Sequence, residues 1–352
     1  MTDLGVYVER AKGSDYFSGA RIADYLERFL DTQTDAARRL ASESQDDTQH
    51  IFLVGSGGSF ANLVSVKYLF DRLIRIPTDA LPSYELIWRT PLRLDDRSLV
   101  FLASMSGETE DTVAAMRFAK TRGARTVALV GSANSTLSGE ADVSIPFDSA
   151  AAYELPMAAL TLFACRLAED SEIADEASAI VESLVQLPTV LRRAVPAEEE
   201  RARARAFEFL SSTHMYVLAA GPLSALAYKM AMSVLMENVR IGGTYCDACE
   251  FRHGPAEALE RVRPDMMFLL GTDESRELAL RTLAFCRDQG ARTLVYDAAE
   301  FEGVHPLLTP LVMNSILQWF VVYSALLRGI LDLDERVFMG HSILAEGGAA
   351  WP

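Results

Sequence analysis

I-F-L-V-G-S-G-G-S-F, residues 51–60, and the helix that follows it decide how this chain folds. Ile51 to Val54 is a short apolar run with the length of a buried strand, Gly55 to Phe60 is a Gly/Ser loop, and Ala61 to Arg72 reads as a helix. Strand, loop and helix N-terminus in that order make a general anion site. Backbone N–H groups and the helix dipole point at the ligand, and the glycines let the backbone come close. Neither G-x-G-x-x-G nor G-x-x-x-x-G-K-[ST] can be read here, which disfavours a nucleotide.

The same unit returns. Leu99 to Ala103 runs into S-M-S-G-E-T-E-D-T (Ser104 to Thr112) and a helix, Val113 to Thr121. Ser104, Ser106 and Thr109 offer hydroxyls at the mouth of that second helix. Two such loops in one α/β domain converge at the carboxyl edge of a parallel sheet, where ligands bind. Strands at Thr126 to Val130 and Val143 to Pro146, then a helix from Glu154 to Asp170, complete the unit. The acidic, arginine-rich segment Ala197 to Arg205 reads as a linker or a solvated helix face. Beyond it the pattern restarts: strand 215–220, helix 222–240, strand Met266 to Leu270, loop G-T-D-E-S (Gly271 to Ser275), a helix, and strand Thr293 to Tyr296. Alternating strands and helices predict an α/β protein with two doubly wound, flavodoxin-like parallel sheets. The expected division is a helical segment over 1–48, a first domain over 49–196 and a second over 197–352.

At 352 residues, half of them hydrophobic, the chain can bury sizeable cores. A net charge of −16 argues against a nucleic-acid backbone or an anionic membrane as partner. A small anion remains possible, because local amides and hydroxyls decide that. No basic stretch followed by an apolar core opens the chain, so no signal peptide is evident and the cytoplasm is expected. The apolar stretch Leu307 to Leu331 is broken by Pro310, Asn314, Gln318 and Arg328, and predicts a buried or subunit-interface helix rather than a membrane span. Four cysteines give no disulfide framework, and the lone C-x-x-C at Cys246 and Cys249 has no second pair to complete a zinc site. No metal or cofactor is expected.

The chemistry points to Ala219 to Glu257. Gly221 and Pro222 open the helix, and Leu226, Met230 and Val234 mark its apolar stripe. Glu237 lies seven residues past Met230, so a 3.6-residue period returns it to that stripe, where a carboxylate is costly unless protonated, paired or used. The helix is expected to stop before Gly242-Gly243, and an irregular segment then reaches His253-Gly254-Pro255. With five histidines in the chain, one placed in a Gly-Pro turn beyond a strand–helix unit is a candidate acid–base group.

At these residues the chain resembles the sugar-isomerase (SIS) domain proteins. G-S-G-G-S-F and S-M-S-G-E-T-E-D-T are similar to that family's two phosphate loops, and M-E-N-V-R to E-F-R-H-G-P is similar to the active-site segment of its tandem-domain members. One group with that segment contains the isomerase half of glucosamine-6-phosphate synthase, which has a glutamate sixteen residues before the histidine of its H-G-P, as Glu237 stands before His253 here. That group carries a catalytic lysine in its C-terminal tail. This chain's last lysine is Lys229, and its tail reads D-E-R-V-F-M-G-H-S-I-L-A-E-G-G. The second group, the deglycases of phosphorylated Amadori compounds, shares the Glu/His spacing and the E-F-x-H-G-P form, met here by Glu250, Phe251 and His253. The S-M-S-G-E-T loop is more like the synthase version.

The resemblance implies a phosphorylated sugar-amine as partner, its 6-phosphate held by Gly55, Ser56, Gly57, Ser59, Ser104, Ser106 and Thr109. It implies Glu237 and His253 as the acid–base pair, in a homodimer whose sites lie between subunits. Arg252, Arg240, Tyr245 and His341 are candidates for recognising the leaving amine. Two other functions stay open: an isomerase or amino-sugar-phosphate deaminase using the same enediol chemistry, and a phosphosugar sensor without catalysis. Sensors of that kind usually carry a DNA-binding helix-turn-helix, and the acidic N-terminal segment shows no basic recognition helix.

Overall fold

Two parallel sheets wound with helices make up the chain, in a computed structural model that describes residues 4–14 and 17–338. The first sheet contains β1 (His50–Gly55), β2 (Thr78–Pro82), β3 (Ser98–Ser104), β4 (Arg125–Val130) and β5 (Val143–Pro146), ordered β2-β1-β3-β4-β5. The second contains β6 (His214–Ala219), β7 (Gly242–Asp247), β8 (Asp265–Leu270) and β9 (Arg292–Asp297), ordered β7-β6-β8-β9. Every pairing is parallel; Leu53 stands opposite Phe101, and Phe101 opposite Val127. The winding reverses between β1 and β3 and again between β6 and β8, which opens a crevice at each carboxyl edge. The fold class expected from the sequence is the one observed.

Alternation along the strands explains the layering, because successive side chains point to opposite faces. Ile51 and Leu53 enter a core between the two sheets, while Phe52 and Val54 enter an outer core beneath α4 (Ser83–Arg89) and α5 (Glu110–Thr121). In the second sheet Met267 and Leu269 face the shared core, and Met266, Phe268 and Leu270 pack under α11 (Arg276–Asp288). The shared core is filled by α2 (Ile22–Ser44), α3 (Gly57–Leu73), α7 (Glu154–Ala168), α8 (Ala174–Glu208) and α12 (Thr309–Leu327). It belongs to both sheets at once. The helical segment before β1 is therefore part of that core through Leu26, Phe29 and Leu40.

Helix α8 runs through the expected division at 196/197, with Pro188 and Pro196 inside it. The segment Ala197 to Arg205 is thus a helix and no linker. Nor is it simply solvated: Glu198 is 1% exposed and is held by Arg201 Nη2 at 2.6 Å and Arg205 Nη1 at 2.7 Å. The apolar stretch after Leu307 forms α12. It lies in the apolar span Pro306–Leu327, long and apolar enough to cross a membrane, yet 89% buried within this fold. Its own chain covers it, so it is the buried core helix expected.

Two further corrections concern the segment carrying Glu237. The helix begins as a 3-10 turn at Gly221–Leu223 and becomes α-helical over Ser224–Lys229 (α9). It then continues as a π-helix over Met230–Val239, ending on Arg240 with φ of 58°. Its i→i+5 bonds change the period, so the buried positions are Met230, Ala231, Leu235, Asn238 and Val239, and Glu237 leaves the apolar stripe. After it comes the edge strand β7, where an irregular segment was expected. Gly243 lets β7 lie against the π-helix: a Cβ there would stand 2.0 Å from the Ala231 carbonyl oxygen. Backbone cannot yield as a side chain would, so Gly243→Ala is expected to cost about 1–3 kcal/mol or more. A urea midpoint lowered by the corresponding ΔΔG divided by the m-value checks it. The sequence reading also lacked β2 and α4; T-D-A-L-P is a half-buried edge strand with too little alternation to stand out.

Candidate active site

At the carboxyl edge of the first sheet, β1 ends at Gly55, and Ser56 caps α3 in extended conformation. Gly57 follows with φ of 53°, a left-handed turn that a side chain resists, and Ser59 lies in the first helical turn. Ser59 and Phe60 bond back to the Ser56 carbonyl. That leaves the N–H groups of Gly57 and Gly58 at the open mouth of the helix, where an α-helix always has orphan donors.

The second loop sits beside it. Ser104, buried at the end of β3, bonds the Thr109 hydroxyl at 2.8 Å and the Ser106 hydroxyl at 3.4 Å, and accepts the Gly107 N–H at 3.0 Å. Gly107 has φ of 68°, and a Cβ on it would lie 2.2 Å from Ser135 Oγ. Thr109 caps α5. Glu108 is turned away from the mouth: the Thr136 N–H and hydroxyl both donate to it at 2.7 Å and hold its carboxyl below the usual range. Ser104→Ala would strand the Gly107 N–H and free Thr109, and is expected to cost about 1–3 kcal/mol in a denaturant titration.

One side chain ties the two loops together. Ser56 Oγ donates to the Asp111 carboxylate in the first turn of α5, and stands 3.1 Å from Ser83 Oγ. Ser83 in turn meets the Thr112 hydroxyl at 3.0 Å. The structure thus brings together Gly55, Ser56, Gly57, Ser59, Ser104, Ser106 and Thr109 at one switch point, with Asp111 as a linking residue the sequence reading did not name.

Lys229 was also missed. It is the last residue of α9, and its Cε stands 3.9 Å from where a Cβ on Gly58 would be. The second half of the chain therefore brings a lysine side chain against the loop of the first. Burial pushes that amine down to about 8, against the fields of Glu154 and Glu237. The available signal was a lone charge inside the otherwise uncharged run Leu223 to Met236.

Glu237 is further along the same helix. Its side chain is 42% exposed and paired with Arg336 Nη2 at 2.6 Å. The desolvated helix face expected to surround it is absent. His253 ends the turn Phe251–His253, is exposed, and accepts a hydrogen bond from its neighbour Arg252 Nε at 2.9 Å. Among the described residues no hydrogen bond or ion pair joins Glu237 to His253. Arg252 contacts His253 rather than the loops, Arg240 pairs with Glu335 at 3.2 Å, and the Tyr245 hydroxyl donates to Asp247 at 3.2 Å. His341 lies outside the described residues. Cys246 is buried at the end of β7 and Cys249 exposed beyond it.

The SIS domain model matches residues 46–166. Fructoselysine 6-phosphate deglycase of Escherichia coli is 31% identical over 333 residues, covering 93% of this chain and 96% of that protein. The chain belongs to the SIS family. Fructosamine deglycase of Bacillus subtilis is 33% identical over 279 residues, 76% of this chain and 85% of that one. A solved Bacillus subtilis structure described as a phosphosugar isomerase superposes with a TM-score of 0.79 at 30% identity, covering 88% of this chain and 98% of that one. The SIS match falls on the first sheet, where both hydroxyl-rich loops lie.

Proposed function

We propose that this SIS enzyme is a deglycase of phosphorylated Amadori compounds, taking a 6-phosphofructosyl amine and water to glucose 6-phosphate and the free amine. The near-full-length likeness to fructoselysine 6-phosphate deglycase carries the reading. The joined loops agree with it: amides of Gly57 and Gly58 and the hydroxyls of Ser59, Ser106 and Thr109 face one mouth, as a phosphoryl group requires. Binding that remote group fixes where the reacting carbons stand.

Glu237 removes a proton from C1 of the ketoamine to give an enaminol, and a proton is delivered to C2. The resulting imine adds water and collapses, releasing the amine. No oxidant or reductant is needed, since the hydrogen lost from C1 is balanced by the one gained at C2. Arg336 orients the carboxylate before substrate arrives. His253 opens the sugar ring and moves protons at oxygen, a task suited to an imidazole. Its exposure on the single chain, and its separation from Glu237, support placing it in the site of a second subunit. Met232 and Met236 are exposed on the helix that bears Glu237, an apolar surface that a partner would cover. The same arrangement would operate in the cytoplasm without a cofactor.

The likeness to a phosphosugar isomerase structure favours one second reading, in which the enediol chemistry ends in an isomerised sugar phosphate. Turnover in D2O separates the two. The deglycase places deuterium at C2 of glucose 6-phosphate formed together with free amine. Deuterium exchange into fructose 6-phosphate, with no amine released from the Amadori compound, would sink the proposal.

A further inference from the structure

The chain has four lysines, and three of them reach a carboxylate: Lys12 to Glu9 at 2.8 Å, Lys67 to Asp71 at 2.5 Å and Lys120 to Asp142 at 2.9 Å. Lys229 is different. Among the described residues no carboxylate lies within ion-pair distance of it, although it is half-buried between the two sheets. Its Nζ donates to Asn314 Oδ1 at 2.6 Å and stands 4.4 Å from the centre of the Tyr153 ring. Asn314 is itself fixed, its Nδ2 donating to Glu154 Oε1 at 2.7 Å, and Ser315 Oγ donates to the same oxygen at 2.9 Å.

The arrangement is specific. Asn314 acts as a spacer between Lys229 and the buried Glu154, whose Oε2 has no hydrogen-bond partner among the described residues. The ammonium is thereby kept out of a direct ion pair, with one of its three donors used and the others left over. The Lys229 side chain passes the Gly58 backbone, its Cε 3.9 Å from where a Cβ there would be, and among the described residues no direct ion pair neutralises its ammonium. Among the described residues the charged groups that act on it are Glu154 on α7 and Glu237 on its own helix. Burying an amine without a counter-ion is costly, and the depressed proton affinity of Lys229 reports that cost. A dianion bound at the α3 mouth would relieve it.

We propose that Lys229 is the cation of the phosphate site, so that amides and hydroxyls of the first sheet and an ammonium of the second hold one phosphoryl group together. This rests on reading the two loops as a phosphate site. The site is then incomplete in either half alone, and the phosphoryl group becomes the element through which substrate joins the halves. A tie between the halves without a ligand role would not need the amine kept at the loop or spaced from Glu154.

The test uses inorganic phosphate and glucose 6-phosphate, titrated calorimetrically into the full-length protein and into Lys229→Met. The expected result is weaker binding of both by roughly tenfold or more, the loss of one charge-assisted hydrogen bond. Binding unchanged within about twofold would overturn the proposal, as would a wild type that binds neither anion. Should Lys229→Met fail to fold, the wild type still decides. Reductive 13C-methylation labels the four lysines and the N-terminal amine and keeps their charge; the Lys229 signal, identified by its loss in Lys229→Arg, should titrate near 8 and move when phosphate is added. A Lys229 signal indifferent to saturating phosphate would refute it. Because binding is read without turnover, a protein that passes this test but releases no amine overturns the deglycase reading alone.

Discussion

Glu237→Gln is expected to lower the rate of glucose 6-phosphate release by at least ~10²-fold while the protein still binds phosphate. The amide matches the carboxylate in shape but cannot take a proton from carbon. Because Glu237 is exposed and lies on a helix anchored by Met230, Leu235 and Val239, the exchange should leave the fold intact. It also loses the charge that Arg336 faces, and Arg336→Met is the partner control. If Arg336 only orients the base, that variant keeps part of the activity and Glu237→Gln keeps almost none. The measurement is kcat and KM in a coupled NADP assay, with the phosphate affinity taken separately by calorimetry. Near-normal kcat in the Glu237→Gln variant would remove Glu237 from the mechanism.

Mixing two inactive variants should restore activity. In the arrangement proposed here His253 of one subunit serves Glu237 of the other. A heterodimer of Glu237→Gln and His253→Gln then holds one site with both groups intact and one with neither. Unfolding and refolding an equal mixture gives about a quarter of the wild-type activity if subunits pair at random. If both groups came from one chain, every site in the heterodimer would lack one of them and the mixture would stay inactive. The difference between a quarter and nothing is easily read. It bears on His253 especially, since in the single chain its ring is engaged by Arg252 and not by Glu237.

Much of the fold could be read in advance because each half is a run of strand, loop and helix with two-sided apolar strands. Ile51 to Val54 and Leu99 to Ala103 lie within one residue or two of β1 and β3, and the hydroxyl-rich loops converge as parallel topology requires. What could not be read depends on geometry that periodicity does not encode. A 3.6-residue repeat put Glu237 on the buried stripe, and the π-helical stretch moved it off. The helix does stop before Gly242-Gly243, as expected, but the local pattern does not show that Gly243 is small because β7 must pass the Ala231 carbonyl. Ala197 to Arg205 looked solvated, although Glu198 is buried by two arginines one and two turns along the same helix. Lys229 was passed over for a similar reason: its place beside Gly58 is a contact between the two halves, and no local pattern announces such contacts.

The release assay on 6-phosphofructosyl-lysine, with the asparagine and glutamine derivatives beside it, tests the central claim most directly. Wild-type protein is expected to yield glucose 6-phosphate and free amino acid in equal amounts from at least one of them. No release from any of the three, with fructose 6-phosphate or glucosamine 6-phosphate turned over instead, would contradict the account.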